Sequence, residues 1–379
     1  MKAISRSDDS PAARWWWSVD HVSLIILSAL LTIGVILVFA AGQGAAERLG
    51  IEDAFHFPMR QLMFVPLAIA VMLGISSLTP LQARRLGAVL FAVSVALLIA
   101  TLLFAPEIKG AKRWLPLGAF GFQPSELLKP GFVVAAAWML AEGVRNPRFP
   151  GAAIATGFYA ICVSLLMMQP DYGQSALLTA VWIIMFFISG GAIFWLLIAA
   201  GIAVAGFVSG YFFSPHLARR IDGFLNPEAG DNYQIDKALE AIANGGLGPR
   251  AADAAAVKFS LPDAQTDFIF AVAAEEFGVI VCLIILGLFA AFVFRSYAKA
   301  SAMKSVFAQC AICGLAALIG LQSFINIGVN LRALPAKGMT LPFISYGGSS
   351  LVAAALTVGL ILALTRRPDR AARRKEIMP

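Results

Sequence analysis

The stretch LPDAQTDFIFAVAAEE, residues 261–276, decides the fold, because it passes without a break from a polar loop into an apolar helix. Asp267 lies at that junction, and Glu275 and Glu276 follow about two helical turns later. A carboxylate at the edge of a membrane helix costs free energy unless it is paired, faces a cavity or takes part in the chemistry. The stretch therefore predicts a membrane helix with a chemical centre at its start.

The composition extends this interpretation to the whole chain of 379 residues. Hydrophobic residues make up 59% and charged residues 13% of the sequence, whereas a soluble domain carries about 25% charged residues. The mean hydropathy is +0.80. The chain is therefore predicted to be an all-α, polytopic integral membrane protein. Its net charge of +7 follows the membrane topology and gives no reason to expect nucleic-acid binding.

Ten apolar runs approach or reach the length that spans a bilayer, for which roughly 17–25 residues are needed. The runs are 22–41, 61–78, 86–105, 127–141, 152–168, 174–190, 191–213, 268–294, 306–329 and 342–364. The sixth and seventh form one block, about 60 Å long as a helix, which must fold back near Gly190-Gly191. We therefore predict about ten transmembrane helices with both termini on the same side.

Basic residues indicate which side that is. With both termini in the cytoplasm, the inner segments hold 16 of the 29 Lys and Arg residues but only 6 of the 22 Asp and Glu residues. This distribution is the positive-inside pattern. It predicts a cytoplasmic segment at 1–21, a single membrane domain at 22–364 and a basic cytoplasmic tail at 365–379.

One long outer loop is predicted at about 214–267, between helices seven and eight. A loop of this length is uncommon in a compact domain unless it has a function or is disordered. The loop has no strong helical period and no low-complexity tract, and it contains the glycine-rich run GGLG at 245–248. These features favour a functional loop.

A group of basic residues lies in KGAKRW, 109–114, on the outer side, where the orientation rule predicts none. Lys112 and Arg113 precede the fourth predicted helix, and Lys129 lies near the start of that helix. Together they would form an anion site suited to a phosphorylated lipid head group.

The segment QPSELLKP, 123–130, offers a structural alternative for Lys129. Ser125 is placed to cap the fourth helix, and Glu126 lies in its first turn. Lys129 is three residues after Glu126, a spacing that allows an ion pair along the helix surface. Both interpretations of Lys129 stay open at this point.

The carboxylates of 261–276 also have structural alternatives. Asp267 at a helix N-terminus would gain roughly 0.3–1 kcal/mol from the helix dipole as a capping residue. Glu275 and Glu276 lie on different faces of the helix, so the helix must be enclosed by protein or border a cavity. The structural explanation for Glu275 and Glu276 is pairing with Lys or Arg on neighbouring helices.

The segment PFISYGGSS, 342–350, lies at the start of the tenth predicted helix. Gly347 and Gly348, with the two serines that follow, permit close approach of another helix. On physical grounds alone the segment is a packing device.

Taken together, the quoted segments with FLNP and NIGVNLRALPAKGMT resemble the SEDS family (shape, elongation, division and sporulation proteins) in family order along nearly the whole chain. The resemblance implies a ten-helix peptidoglycan glycosyltransferase of the bacterial cytoplasmic (inner) membrane that polymerises lipid II. It also implies a class B penicillin-binding protein as partner, together with other division proteins. NIGVN (326–330) and AKGMTLPFISYGG (336–348) resemble the division branch more than the elongation branch, which points to the septum.

The resemblance assigns roles residue by residue. The essential acidic residue of the family falls on Asp267. The residues assigned to substrate binding are Lys112, Arg113, Glu126, Lys129, Arg220, Gln234 and Lys337. The outer loop departs from the family pattern: only Lys258 is retained after GGLG, and YQIDKA keeps Gln234 but not the residues that usually follow it.

The implied reaction joins the 4-hydroxyl of one disaccharide to the anomeric carbon of another and expels a lipid pyrophosphate. It needs a base near the hydroxyl, for which Asp267 is the candidate, and positive charge near the departing pyrophosphate.

No cofactor is assigned. A divalent cation, Mg²⁺ or Mn²⁺, that bridges Asp267 and the pyrophosphate is an alternative, although no second carboxylate is evident to hold it. An elongation-type polymerase, a lipid flippase and a non-enzymatic division scaffold are the other classes of protein to be distinguished.

Overall fold

The computed structural model describes residues 10–108, 110–117, 120–190, 193–213, 218, 222–223, 233–249, 257–335 and 338–366. The helices within these residues are α1 Pro11–Ser18, α2 His21–Arg48, α3 His56–Ser76, α4 Pro80–Phe104, α5 Pro124–Arg145, α6 Gly151–Met168, α7 Tyr172–Ile188, α8 Ile193–Phe213, α9 Tyr233–Asn244, α10 Val257–Ser260, α11 Ile269–Ser301, α12 Val306–Asn330 and α13 Gly348–Thr365. A small antiparallel hairpin, β1 Leu115–Leu117 and β2 Phe120–Phe122, connects α4 to α5.

Each of the ten predicted apolar runs coincides with a helix, which confirms the polytopic all-α fold. Eight of the described helices are long and apolar enough to cross a membrane, namely α2 to α6 and α11 to α13. Two shorter apolar stretches, Tyr172–Ile188 and Ala200–Phe212, supply the sixth and seventh runs. The predicted fold-back between them is also present. Gly190 adopts a left-handed backbone with φ of +69°, which glycine accommodates without a Cβ clash.

The tenth helix begins later than the apolar run predicts. Residues 341–347 form a turn, and α13 starts only at Gly348. The backbone N–H of Ser345 donates to the carbonyl of Leu341 at 2.9 Å, and the Ser345 hydroxyl accepts the Leu341 N–H at 2.7 Å. Phe343 adopts a left-handed φ of +65°, which a continuing helix does not allow. The apolar side chains of this turn made it indistinguishable from helix in the sequence.

The outer loop is more ordered than predicted, because residues 233–244 form the helix α9. The absence of a helical period was therefore a wrong expectation for this part of the loop. Its buried side chains, Ile235, Ala238 and Ala241, recur at intervals of three residues and pack on α11. Polar residues between these positions leave YQIDKALEAIAN with an apolar face at helical spacing, so the signal for this helix was present in the sequence.

The GGLG run packs against a break in α11. Gly278 interrupts the helix with φ of +78° and ψ of 178°. The N–H groups of Val279 and Ile280, which lose their helical partners there, donate to the carbonyls of Gly246 at 3.1 Å and Leu247 at 3.4 Å. A Cβ on Gly278 would lie 2.6 Å from the backbone nitrogen of Gly248, so the two backbones approach this closely only because residue 278 is glycine.

The break at Gly278 divides α11 into two parts with different surroundings. Every side chain from Ile269 to Glu275 is buried, whereas Val279, Ile280 and Leu283 are exposed on the outside of the bundle. Exposed aliphatic side chains on an apolar helix are the ones that meet lipid. The lipid-facing part therefore begins after Gly278, and the residues that follow Asp267 are enclosed by protein.

At the opposite end of the bundle, Asp20 ties the start of α2 to the end of α11. Its carboxylate accepts two hydrogen bonds from Arg295, at 2.7 and 2.8 Å, and lies 2.8 Å from Lys299. Ser23 adds a third donor at 2.7 Å. Burial alone would raise the pKa of Asp20, but hydrogen bonds from Arg295, Lys299 and Ser23 outweigh it and hold this pKa well below its usual range.

We expect Asp20→Asn to destabilise the protein at neutral pH. Because the pKa of Asp20 is lower in the folded chain than in the unfolded chain, its contribution is fully present above the unfolded pKa of about 3.9 and is lost as the pH falls through the folded pKa. The difference in unfolding temperature between wild type and variant should therefore be constant from about pH 6 to 8 and shrink below about pH 4. Asp236→Asn is the control, because the Asp236 pair with Arg332 is exposed and should matter little.

Both ends of the described chain meet the same turn between α3 and α4. The indole N–H of Trp15 donates to the Ser76 hydroxyl at 2.8 Å. Arg366, just after α13, donates to the carbonyl of Leu78 at 3.0 Å. These contacts agree with an even number of crossings, while the number of crossings and the cytoplasmic location of the ends stay predictions.

Candidate active site

Asp267 lies in the turn 262–268 that leads into α11, with its side chain partly exposed. Its backbone N–H donates to the carbonyl of Asp263 at 3.1 Å. Its own carbonyl accepts side-chain N–H groups from Asn326 and Asn330, each at 2.9 Å. The helix begins at Ile269, so the prediction that it starts directly after Asp267 is correct to within one residue. The backbone of Asp267 is therefore held on both sides.

Asp267 does not occupy the N-cap position of α11. That position belongs to Phe268. The N–H of Ala271, in the first turn, donates to the side-chain oxygen of Asn330 at 3.1 Å, so α12 supplies part of the cap.

The turn 341–347 closes over the turn that carries Asp267. The Ser345 hydroxyl donates to the carbonyl of Thr266 at 2.5 Å, and the N–H of Tyr346 donates to the carbonyl of Gln265 at 2.8 Å. Gly338 lies beside the carboxylate: a Cβ on Gly338 would be 3.4 Å from Oδ2 of Asp267. The PFISYGG segment thus supports the candidate catalytic turn directly.

The glycines of PFISYGGSS lie at this junction. Gly348 packs against the ring of Phe64 on α3 so closely that a Cβ would overlap the ring. A Cβ on Gly347 would lie 2.8 Å from the hydroxyl oxygen of Ser350.

A buried ion pair lies at the start of α5. Lys129 Nζ is 3.0 Å from Oε1 and 2.9 Å from Oε2 of Glu126, and both residues are only 4% exposed. Gln174 from α7 donates to Glu126 at 3.0 Å, and Gln322 from α12 accepts from Lys129 at 2.8 Å. The structure contains the predicted pair of Lys129 with Glu126, and it also places Lys129 in a polar network that extends toward Asp267, while the anion site stays a prediction.

Ser125 does not cap α5 as predicted. Proline favours the first position of a helix, and Pro124 places the N-cap at Gln123, two residues earlier than expected. The hydroxyl of Ser125 is buried and has no hydrogen-bond partner among the described residues.

The two outer basic residues bind backbone carbonyls. Arg113 donates to the carbonyls of Gln169, at 3.1 Å, and Pro170, and lies 4.0 Å from the carboxylate of Asp171. Lys112 donates to the carbonyl of Leu102 at 3.4 Å, near the end of α4. The positive charges are therefore held at the ends of helices, next to the hairpin between α4 and α5.

The structure joins four of the predicted residues in one polar network: Arg113, Glu126, Lys129 and Asp267. Lys112 contacts the end of α4 outside this network, and Gln234 is exposed on α9. Arg220 and Lys337 lie outside the described residues.

The links in that network are side-chain amides that the sequence argument did not single out. From Lys129 the path continues through Gln322, whose Nε2 donates to the carbonyl of Thr340 at 3.0 Å. Asn326 then donates to the carbonyls of both Met339, at 2.6 Å, and Asp267. Gln322, Asn326 and Asn330 recur every four residues on α12, and this spacing of amides in an apolar helix is the signal that could have revealed them.

Glu275 and Glu276 both bind α10, which lies in the predicted outer loop. Glu275 accepts the backbone N–H groups of Val257 at 2.8 Å and Lys258 at 2.9 Å, so the predicted pairing with a basic side chain is wrong for this residue. Glu276 does pair with a basic side chain, that of Lys258. Arg48 donates to three carbonyls of α10 and the residue after it. The segment that precedes Asp267 is thereby anchored at both its N–H and its carbonyl groups.

A resident metal ion finds no set of ligands in the part of the chain that the structure describes. No three His, Cys, Asp or Glu residues lie together there. Hard cations such as Mg²⁺ prefer several oxygen ligands, and Asp267 is not part of such a group among the described residues. We therefore derive no catalytic step through a metal.

Comparison with known proteins places this geometry in a family. The FtsW/RodA/SpoVE family model, described as "Cell cycle protein", matches residues 20–369. A relative from Caulobacter vibrioides named probable peptidoglycan glycosyltransferase FtsW is 43% identical over 365 residues, with 96% of this chain and 94% of that protein covered. Stage V sporulation protein E of Bacillus subtilis is 33% identical over 357 residues, covering 92% of this chain and 97% of that protein.

Solved structures give the same answer. A chain from a structure entitled "Structural coordination of polymerization and crosslinking by a peptidoglycan synthase complex" superimposes with a TM-score of 0.74 and 27% identity, covering 93% of this chain and 99% of that one. The rod shape determining protein RodA of Thermus thermophilus gives a TM-score of 0.68 at the same identity and coverage. The match over nine-tenths of the sequence and the shared fold show that the chain belongs to the FtsW/RodA/SpoVE family, the SEDS proteins, as its motifs predict.

Proposed function

We propose that this protein is a peptidoglycan glycosyltransferase that polymerises lipid II during cell division, with Asp267 as the general base. One observation carries the proposal. A partly exposed carboxylate lies on a turn held by α12 and by residues 341–347, within a polar network that contains Lys129 and Arg113. The FtsW name of relatives such as the Caulobacter protein supports the activity and the division role.

In the proposed reaction, Asp267 accepts the proton of the acceptor 4-hydroxyl as its oxygen attacks the anomeric carbon of the donor. The new glycosidic bond forms while the bond from the anomeric carbon to the pyrophosphate oxygen breaks, and the electron pair leaves with the lipid pyrophosphate. Positive charge held in place before the reaction stabilises the departing anion without the cost of reorganising solvent.

The outer basic residues are assigned to that anion. Arg113 is held by carbonyls at the α6–α7 turn, and Lys112 by a carbonyl of α4, so both are fixed in position before substrate binds. Arg220 and Lys337 are proposed to join them. Lys129 is buried and paired with Glu126. Its proposed role is therefore mainly to hold the polar network of Glu126 and Gln322 in place, and the pyrophosphate is bound mainly by the other basic residues.

A class B penicillin-binding protein is the proposed partner, since glycan strands must be cross-linked as they form. The solved peptidoglycan synthase complex, whose title joins polymerisation with crosslinking, supports such an arrangement. Division proteins at the septum, in the bacterial cytoplasmic membrane, complete the proposed setting.

Reconstitution tests this function. Purified protein in vesicles, given fluorescent lipid II with and without a class B penicillin-binding protein, should produce glycan chains that a muramidase degrades. Movement of lipid II across the vesicle membrane without polymer would instead indicate a flippase. Absence of both activities, from folded protein with its partner, would favour a scaffold.

A further inference from the structure

We propose that Asn326 and Asn330 are positioning residues for Asp267: they orient its carboxylate by holding its backbone from a neighbouring helix. The inference rests on the proposed role of Asp267 as base. Both asparagines are buried, with exposed fractions of 2% and 0%. Both lie on α12, four residues apart, and both donate to the same atom, the carbonyl oxygen of Asp267, at 2.9 Å.

These two bonds stand in for a helical bond. In a regular helix the carbonyl of Asp267 would accept the N–H of Ala271, four residues later. Here the N–H of Ala271 is directed to the carbonyl of Phe268, at 3.1 Å, and to Oδ1 of Asn330. Asn330 thus replaces both partners of the missing helical bond. Its side-chain N–H donates to the carbonyl of Asp267, and its side-chain oxygen accepts the N–H of Ala271.

Asn326 couples Asp267 to the opposite wall of the site. The same side-chain nitrogen that donates to Asp267 also donates to the carbonyl of Met339 at 2.6 Å. Met339 follows Gly338, the residue that lies beside the carboxylate of Asp267. One amide therefore sets the distance between the catalytic turn and the backbone next to it.

The alternative is that the asparagines only satisfy buried polar groups, as buried amides generally do. The two explanations differ in what a variant would lose. A purely structural amide would lower stability, and activity would fall only as folded protein is lost. A positioning amide would lower kcat in protein that is still folded, because a displacement of about 1 Å at a reacting group can cost about 100-fold in rate.

The test compares Asn326→Ala, Asn330→Ala and the double variant with Ser323→Ala. Ser323 is a matched control, since it is buried on the same helix but bonds only within it, to the carbonyl of Ile319. Each single variant leaves one donor on Asp267, so we expect kcat for lipid II polymerisation to fall about 10-fold, with KM within about twofold. The double variant should lose about 100-fold, while Ser323→Ala keeps the wild-type kcat.

A folded double variant with wild-type kcat would overturn the proposal. The proposal would also fail if, in every variant, activity fell only in proportion to the fraction of folded protein. If the double variant does not fold, Asn326→Ala decides the question alone, because it leaves the Asn330 bonds to α11 intact. Asp267→Asn in the same assay separates the two hypotheses. Wild-type kcat in Asp267→Asn rejects the base assignment, whereas an inactive Asp267→Asn beside fully active asparagine variants rejects only the positioning role.

Discussion

Asp267→Asn should lower kcat for lipid II polymerisation by about 100-fold to 10,000-fold, the usual contribution of a general base. The amide has nearly the shape of the carboxylate but cannot accept the proton from the acceptor hydroxyl. The N–H of Asp267 donates within the turn and its carbonyl accepts from α12, and the substitution leaves both of these backbone groups in place. Folding should therefore be retained, which thermal unfolding of the purified variant would check.

Asp263→Asn is the matched control for that experiment. Asp263 lies four residues earlier in the same turn, and its carbonyl accepts the N–H of Asp267. Its left-handed φ of +53° is one that asparagine adopts readily, so the substitution removes a charge while keeping the turn. We expect Asp263→Asn to polymerise close to the wild-type rate. Equal losses in both variants would mean that the turn, and not the base, had been damaged.

The membrane architecture could be predicted from the sequence because it depends on the length of each apolar run. An apolar run of sufficient length has few alternatives to a spanning helix, and each of the ten runs contains a helix in the structure. Boundaries were less certain where local chemistry competes with hydropathy. The apolar segment from Leu341 to Gly347 forms a turn, and Gly278 breaks an apolar helix through contacts with a loop some thirty residues earlier in the chain.

In the candidate site, contacts between residues close in sequence could be predicted, and contacts between distant residues could not. The pair of Glu126 and Lys129 follows from a spacing of three residues on one helix, and the structure contains it. The bond from Lys129 to Gln322 spans 193 residues, and that from Gln174 to Glu126 spans 48. Such contacts depend on which helices become neighbours, and hydropathy and periodicity carry no information about that.

Glu126→Gln is expected to destabilise the protein by about 3–5 kcal/mol, since it leaves the buried ammonium of Lys129 without its counter-ion. Lys129→Met should also destabilise the protein, because it leaves the buried carboxyl group of Glu126 without its partner. The double variant Glu126→Gln/Lys129→Met removes both charges, and replacement of a whole buried pair is often neutral or stabilising. Unfolding temperatures in one detergent, at one scan rate, would show the two losses and the recovery.

Polymerisation by the same double variant separates the two interpretations of Lys129. If stability returns and kcat is that of wild type, the pair only joins α5 to α7 and α12, and the substrate-binding assignment of Glu126 and Lys129 is rejected. If stability returns while kcat stays low, the charged pair itself is needed for activity, since packing has been restored without it. Lys129 contacts Gln322, which holds the carbonyl of Thr340 two residues beyond Gly338. A loss in kcat without a loss in stability would therefore show that the charged pair acts through the same network that orients Asp267.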